Sequence, residues 1–174
     1  MKMKQKRKAI KRTLVFTGLF LAALNCMHAQ DVPQPDFANV PAYYIEGTNE
    51  LHNLAKENIT YATKLKKVVY ELQGTASKVR IKQTSNYNFI VKSFEGVDPS
   101  AIIQLKTVTV TKKNRQATMG QAQGYTKASL SVDAIPYNLR KLNNNVYQIV
   151  PESPLEPGEY IFEAIGIVYS FGIE

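Results

Sequence analysis

The sequence has few of the residues that build metal and nucleophilic sites. Its 174 residues include one cysteine, Cys26, two histidines, His28 and His52, and no tryptophan. A zinc site needs several thiolate or imidazole ligands, so the usual zinc sites and the cysteine proteases are excluded once the N-terminal segment is set aside. A Ser–His–Asp triad would have to use His52, and no serine lies within Gly-x-Ser-x-Gly. The Gly-rich loops that hold nucleotide phosphates are missing too. No catalytic, cofactor-binding or metal-ligating residue is expected, and no cofactor.

Acidic residues are absent from the first 29 positions, where Lys2, Lys4, Lys6, Arg7, Lys8, Lys11 and Arg12 stand. Those seven cations account for most of the formal net charge of +8. The remaining 15 Lys and Arg face 14 Asp and Glu, leaving +1. A nucleic-acid partner, which a strongly basic body would suggest, is therefore not expected.

Residues 1–12 form a basic stretch and Leu14 to Leu24 an uncharged apolar one. Eleven residues are too few for a helix that crosses a bilayer, which takes about 20. The order basic, apolar, then small and polar is that of a secretory signal peptide over residues 1–29, with cleavage between Ala29 and Gln30. Met27 departs from the small residue usual three positions before a cut. A lipid anchor through Cys26 is the less favoured alternative, because Asn25 replaces the small residue such a site wants. No transmembrane segment is expected after signal removal. Residues 30–38, with Pro33 and Pro35, read as an extended leader, and 39–174 as a single domain. Without cysteine that domain has no disulfides, and about 145 residues suffice to bury a stable core.

Most of the domain reads as strand. Phe89 and Val91 alternate with Asn88 and Lys92, the pattern of a half-buried strand. Ile103 and Leu105 stand on the opposite parity from Val108 and Val110, which one strand with one buried face cannot accommodate. A bulge near Lys106, or a break, is the expected remedy. Asn143-Asn144-Asn145 signals a turn, and Pro136 points to an edge strand. In residues 48–67 the steps of three and four between Leu51, Ala55, Ile59, Ala62 and Leu65 allow at most one helix. A hairpin of residues 42–46 with 50–55 through Gly47 is the alternative.

The most specific stretch is Pro154-Leu155-Glu156-Pro157-Gly158-Glu159-Tyr160-Ile161-Phe162. Leu155, Pro157, Gly158 and Tyr160 match the tyrosine corner, in which a tyrosine early in the penultimate strand bonds back to upstream backbone. With a final hairpin turning at Ile165-Gly166, the expected fold is an immunoglobulin-like Greek-key β-sandwich. The chain end also resembles a group of exported bacterial proteins ending in Pro-x-Leu-x-Pro-Gly-Glu-Tyr-x-Phe and then Phe-Gly-Ile. The matching residues are Pro154, Leu155, Pro157, Gly158, Glu159, Tyr160, Phe162 and Phe171-Gly172-Ile173. Weaker echoes are Gly74, Ser77, Arg80, the Phe89-Ile90-Val91 strand, Asp98-Pro99 and Arg115. The resemblance covers about residues 68–174 and implies an all-β exported domain, without an activity.

Three groups of side chains carry candidate chemistry. Glu152, Glu156 and Glu159 offer carboxylates near the corner, though a solvated acidic turn is the simpler account. Lys78, Arg80 and Lys82 would form a basic ridge on one strand, and Lys112, Lys113 and Arg115 a basic turn. Tyr43, Tyr44, Tyr61, Tyr87 and Tyr125 offer ring faces on which sugars can stack, although cross-strand packing accounts for most such tyrosines.

The expected protein is an exported, non-catalytic β-sandwich that binds or assembles at the cell envelope, periplasmic or extracellular. Its partner would be an envelope protein or a glycan. One alternative is a carboxylate-based hydrolase, which requires two acids about 5–10 Å apart in a cleft. The other is a structural or adhesive subunit that donates residues 30–40 as a strand, against which Pro33, Pro35 and Pro41 argue.

Overall fold

The structure is a computed structural model that describes residues 32–48, 50–64, 67–123, 127–130 and 133–174. The segment read as a signal peptide, with Cys26, Ala29 and Gln30, lies outside the described residues, as does Tyr125. One compact unit spans Val32–Glu174.

Among its described residues the unit is all β apart from a 3-10 turn at Pro99–Ala101. Its strands are β1 (Ala42–Ile45), β2 (Leu51–Asn53), β3 (Ala55–Glu57), β4 (Ile59–Lys64), β5 (Lys67–Gln73), β6 (Arg80–Ile81) and β7 (Tyr87–Lys92). They continue as β8 (Ile103–Val110), β9 (Asn114–Gln123), β10 (Lys127–Leu130), β11 (Ala134–Ile135), β12 (Tyr137–Asn143), β13 (Val146–Pro151), β14 (Gly158–Ala164) and β15 (Ile167–Ile173). Among the described residues no helix is long and apolar enough to cross a membrane.

Five strands form one sheet in the order β12-β13-β7-β1-β2. The other follows the path β3-β15-β14-β8-β9-β5-β4, with β6, β10 and β11 added at its margins. Pairing is antiparallel throughout, except that β6 runs parallel to β15. The two sheets face each other across a core of Phe89, Val91 and Ile149 on one side and Leu105, Phe162 and Phe171 on the other. The Phe89 ring meets Phe162 edge-on at 5.2 Å and Phe171 at 4.7 Å. The result is a sandwich-like all-β fold.

The larger sheet curls. Its two end strands, β3 and β4, are consecutive in the chain and separated only by Asn58. The concave side encloses a second core of Tyr70, Leu72, Val108, Ala117, Ile161 and Val168. A third, small cluster of Ala42, Ile90 and Val146 lies on the outer face of the five-stranded sheet, with Val32 packed against it. Val32 belongs to the stretch read as leader. That stretch also bridges to the sheet through Ala38, which pairs with Lys92, and the N–H of Asn39, the first residue after it, donates to the Lys92 carbonyl at 2.7 Å.

Three cores explain two departures from expectation. The helix allowed over residues 48–67 does not form, and the described part of that segment is β2, β3 and β4. The hairpin through Gly47 does form, pairing Tyr43 with His52, with Gly47 at φ +84°. Breaks at Leu54 and Asn58 reset the period-two alternation, so apolar residues fall at helical steps. Leu51, Leu54 and Ile59 in fact pack into three different cores. Nor does a bulge or break interrupt β8, which pairs with β14 in unbroken register from Ile103 to Val108. Ile103 and Leu105 enter the core between the sheets, while Val108 enters the core inside the curl. Both parities are buried because both faces of the sheet are covered.

Pro136 stands where the chain leaves β11 in the curled sheet for β12, which is an edge strand of the five-stranded one. The β14–β15 hairpin turns at Ile165, φ +49°, and Gly166, φ +74°. A β-branched residue is costly in the left-handed region, and Ile165 is 62% exposed. Ile165→Asn is therefore expected to raise stability by about 1 kcal/mol, measured as a higher urea midpoint at unchanged slope. An unchanged or lower midpoint would refute the strain argument.

Candidate functional site

An open groove of about 610 Å³ runs beside β12, lined by Gly96, Val97, Asp98, Ser100, Tyr137, Asn138, Leu139 and Tyr147. Edge strand β12 is one wall. The loop from Gly96 to Ser100 is the other, and local hydrogen bonds hold it in place. Ser93 Oγ donates to the Val97 carbonyl at 2.8 Å, and Gly96 takes φ +73° in the turn before it. Asp98 caps the 3-10 turn, its Oδ1 accepting from the Ser100 N–H at 2.9 Å and from Ser100 Oγ at 2.8 Å. Those two bonds favour the charged form and hold the Asp98 carboxyl below its ordinary pKa. Tyr137 is anchored by its hydroxyl, which donates to the Ile103 carbonyl at 2.6 Å. Burial, with a smaller contribution from Asp98, pushes its pKa up to about 12. The groove thus offers one carboxylate, amide and hydroxyl groups, and two tyrosines on a fixed frame.

None of these residues was singled out as a binding group in the sequence. Asp98-Pro99 was noted only within the resemblance. The usable signals were a capping Asp-Pro-Ser and the edge position implied by Pro136.

The candidate acids are not brought together. Glu152 and Glu156 are exposed, whereas Glu159 is buried. Glu159 pairs with Arg80 and, at 3.4 Å, with Arg115, and accepts the Ser77 N–H at 2.8 Å. Of the two basic groups, Lys78, Lys82, Lys112 and Lys113 are exposed, but Arg115 is 1% exposed. The expected basic turn therefore loses Arg115 to the interior, where two acids on other strands neutralise it. Its guanidinium reaches Glu57 Oε1 at 2.7 Å and the carbonyls of Gln73 and Gly74. Gly172 makes room for Arg80, since a Cβ there would stand 1.7 Å from Arg80 Nη1. Near Ile161 a second interior pair forms: Lys106 Nζ lies 2.6 Å from Glu163, which also accepts the Tyr70 hydroxyl at 2.8 Å. Arg115, Lys106 and Glu159 are thus buried in these pairs, while Arg80 stays exposed, and none of them lines the groove.

The candidate tyrosines are dispersed as well. Tyr43 stacks on His52 at 5.0 Å, and both Tyr43 and Tyr87 pack against the core between the sheets. Tyr44 lies on the opposite face, against the third cluster, and Tyr61 is 58% exposed beside Tyr70. At the corner, the Tyr160 hydroxyl donates to the Glu156 carbonyl at 2.6 Å, four residues upstream. Leu155 is buried beneath it in the same core. Tyr160→Phe should cost about 1 kcal/mol, the usual worth of one such bond. A urea titration showing no loss would mean that the hydroxyl holds nothing. Compared with protein-family models, with curated proteins and with solved structures, the chain matches none.

Proposed function

We propose that this chain is an exported, non-catalytic binding or assembly protein of the cell envelope, built on an immunoglobulin-like Greek-key sandwich. The observation that carries the binding reading is the groove beside β12. It is open, its loop wall is hydrogen-bonded in place, and it joins tyrosine faces to polar groups, as ligand sites commonly do. The antiparallel pairing and the Tyr160 hydroxyl bond support the immunoglobulin-like assignment. The basic and apolar stretches of residues 1–24 support export. The partner is an envelope protein or a glycan.

The test has two arms. The full chain, expressed with a C-terminal tag in a Gram-negative host, should leave the cytoplasm and yield a mature protein that starts at or near Gln30. The purified protein should then retain a specific envelope component from an extract or bind on a glycan array, and lose it when Asn138 and Ser100 are replaced by bulky residues. A cytoplasmic, uncleaved product would sink export. A blank extract and a blank array would sink the binding reading.

A further inference from the structure

Among the described residues, edge strand β12 leaves a row of backbone groups without strand partners. The Glu152 N–H donates to the Pro136 carbonyl at 3.1 Å, which sets the phase of the β12–β13 ladder. Asn138 and Arg140 are in phase with Pro136 and bond toward β13. Tyr137, Leu139 and Lys141 then turn their N–H and C=O groups to the free edge. Pro136 bounds this stretch on one side, and a register shift between Lys141 and Asn143 bounds it on the other. The open edge is five residues long, about 13 Å from end to end at strand rise. The groove lies along its Tyr137–Leu139 part, with Gly96, Val97, Asp98 and Ser100 on the other wall. That is the place of one further strand.

We infer that this groove is a strand-acceptor site, filled by an extended peptide segment of another protein that pairs antiparallel with β12. The inference deepens the binding reading above and rests on it. Exposed main-chain donors and acceptors select extended backbone, and alternate side chains of the guest supply specificity. Charge orients it. Asp98 lines the groove together with Tyr137, whose pKa it helps to raise, and exposed Lys141 stands at the other end of the edge. Neither Asp98 nor Lys141 forms an ion pair among the described residues. An antiparallel guest therefore places an acidic residue opposite Lys141 and, four residues later, a basic one toward Asp98. Between them an apolar side chain meets Leu139 and Tyr147. A second copy of the whole domain fits less well, because its own β12 edge is flanked by its own Gly96–Ser100 loop.

The probe is the blocked peptide Glu-Thr-Val-Thr-Lys, titrated into the folded protein at low salt and followed by calorimetry. Binding with Kd below about 1 mM is expected. Methylating the valine amide should abolish it, because that N–H faces the Leu139 carbonyl. Lys141→Glu and Asp98→Asn should each weaken it about three-fold, the scale of an exposed ion pair. The charge-reversed peptide Lys-Thr-Val-Thr-Glu should bind more weakly than the original. Absence of binding, equal binding of the methylated peptide, or equal binding of the reversed peptide would overturn the proposal. So would a β12-mediated dimer that the peptide fails to disrupt. If the glycan array or extract is positive while these peptides fail, the binding reading survives and the strand-acceptor assignment alone falls.

Discussion

Arg115→Ala should destabilise the fold by about 3–5 kcal/mol, the cost of leaving buried charge without its partner. The substitution removes the cation that faces Glu57 and Glu159 and also strands two backbone carbonyls. Glu159 keeps Arg80 and the Ser77 N–H, but among the described residues Glu57 keeps only hydroxyl contact with Ser170. Since domains are held by only about 5–15 kcal/mol, the variant should unfold in urea far below the parent. A companion in which Arg115, Glu57 and Glu159 all become apolar should recover much of the loss, because replacing a buried ionic group as a unit is often near neutral. A loss under about 1 kcal/mol in the single variant would show that water reaches the cluster and replaces the guanidinium.

The second large effect is expected at Phe89. Its ring is 1% exposed and belongs to the five-stranded sheet, yet it touches Phe162 and Phe171 of the other. Phe89→Ala should cost about 3–5 kcal/mol through lost transfer energy and the cavity left behind. Phe171 is also fully buried and in contact, so the double variant should cost less than the sum of the two singles. Strict additivity in urea unfolding would mean that the rings do not share one cavity.

Strand positions were legible in the sequence wherever one face meets the core between the sheets. Phe89 with Val91, and Tyr160 with Phe162, read as strands because their alternation has a single cause. The turns at Gly47 and at Asn143-Asn144-Asn145 were legible for a local reason, the ease of positive φ, which Asn145 takes at +62°. The curl was not legible, because nothing in a strand's own alternation says that its polar-looking face will be covered. Hence Arg115 read as part of a basic turn, and the parity change in β8 read as a bulge near Lys106 or a break. Residues quoted for the resemblance from distant positions, among them Gly74, Ser77, Arg80, Arg115, Glu159 and Gly172, meet around the buried Arg115 and Glu159. They are joined by charge pairing across strands, which one-dimensional periodicity does not encode. The groove was hidden for a similar reason: its two walls come from segments some 40 residues apart that are not paired to each other.

The placement of β15 has a consequence for how the chain can be made. This strand pairs with β14, β3 and β6, and it supplies Val168, Tyr169, Phe171 and Ile173 to two of the three cores. Neither the space between the sheets nor the hollow of the curl can close before Ile173 has left the ribosome. Contacts so distant in sequence also form slowly. A nascent chain of this design stays open at least until β15 has emerged.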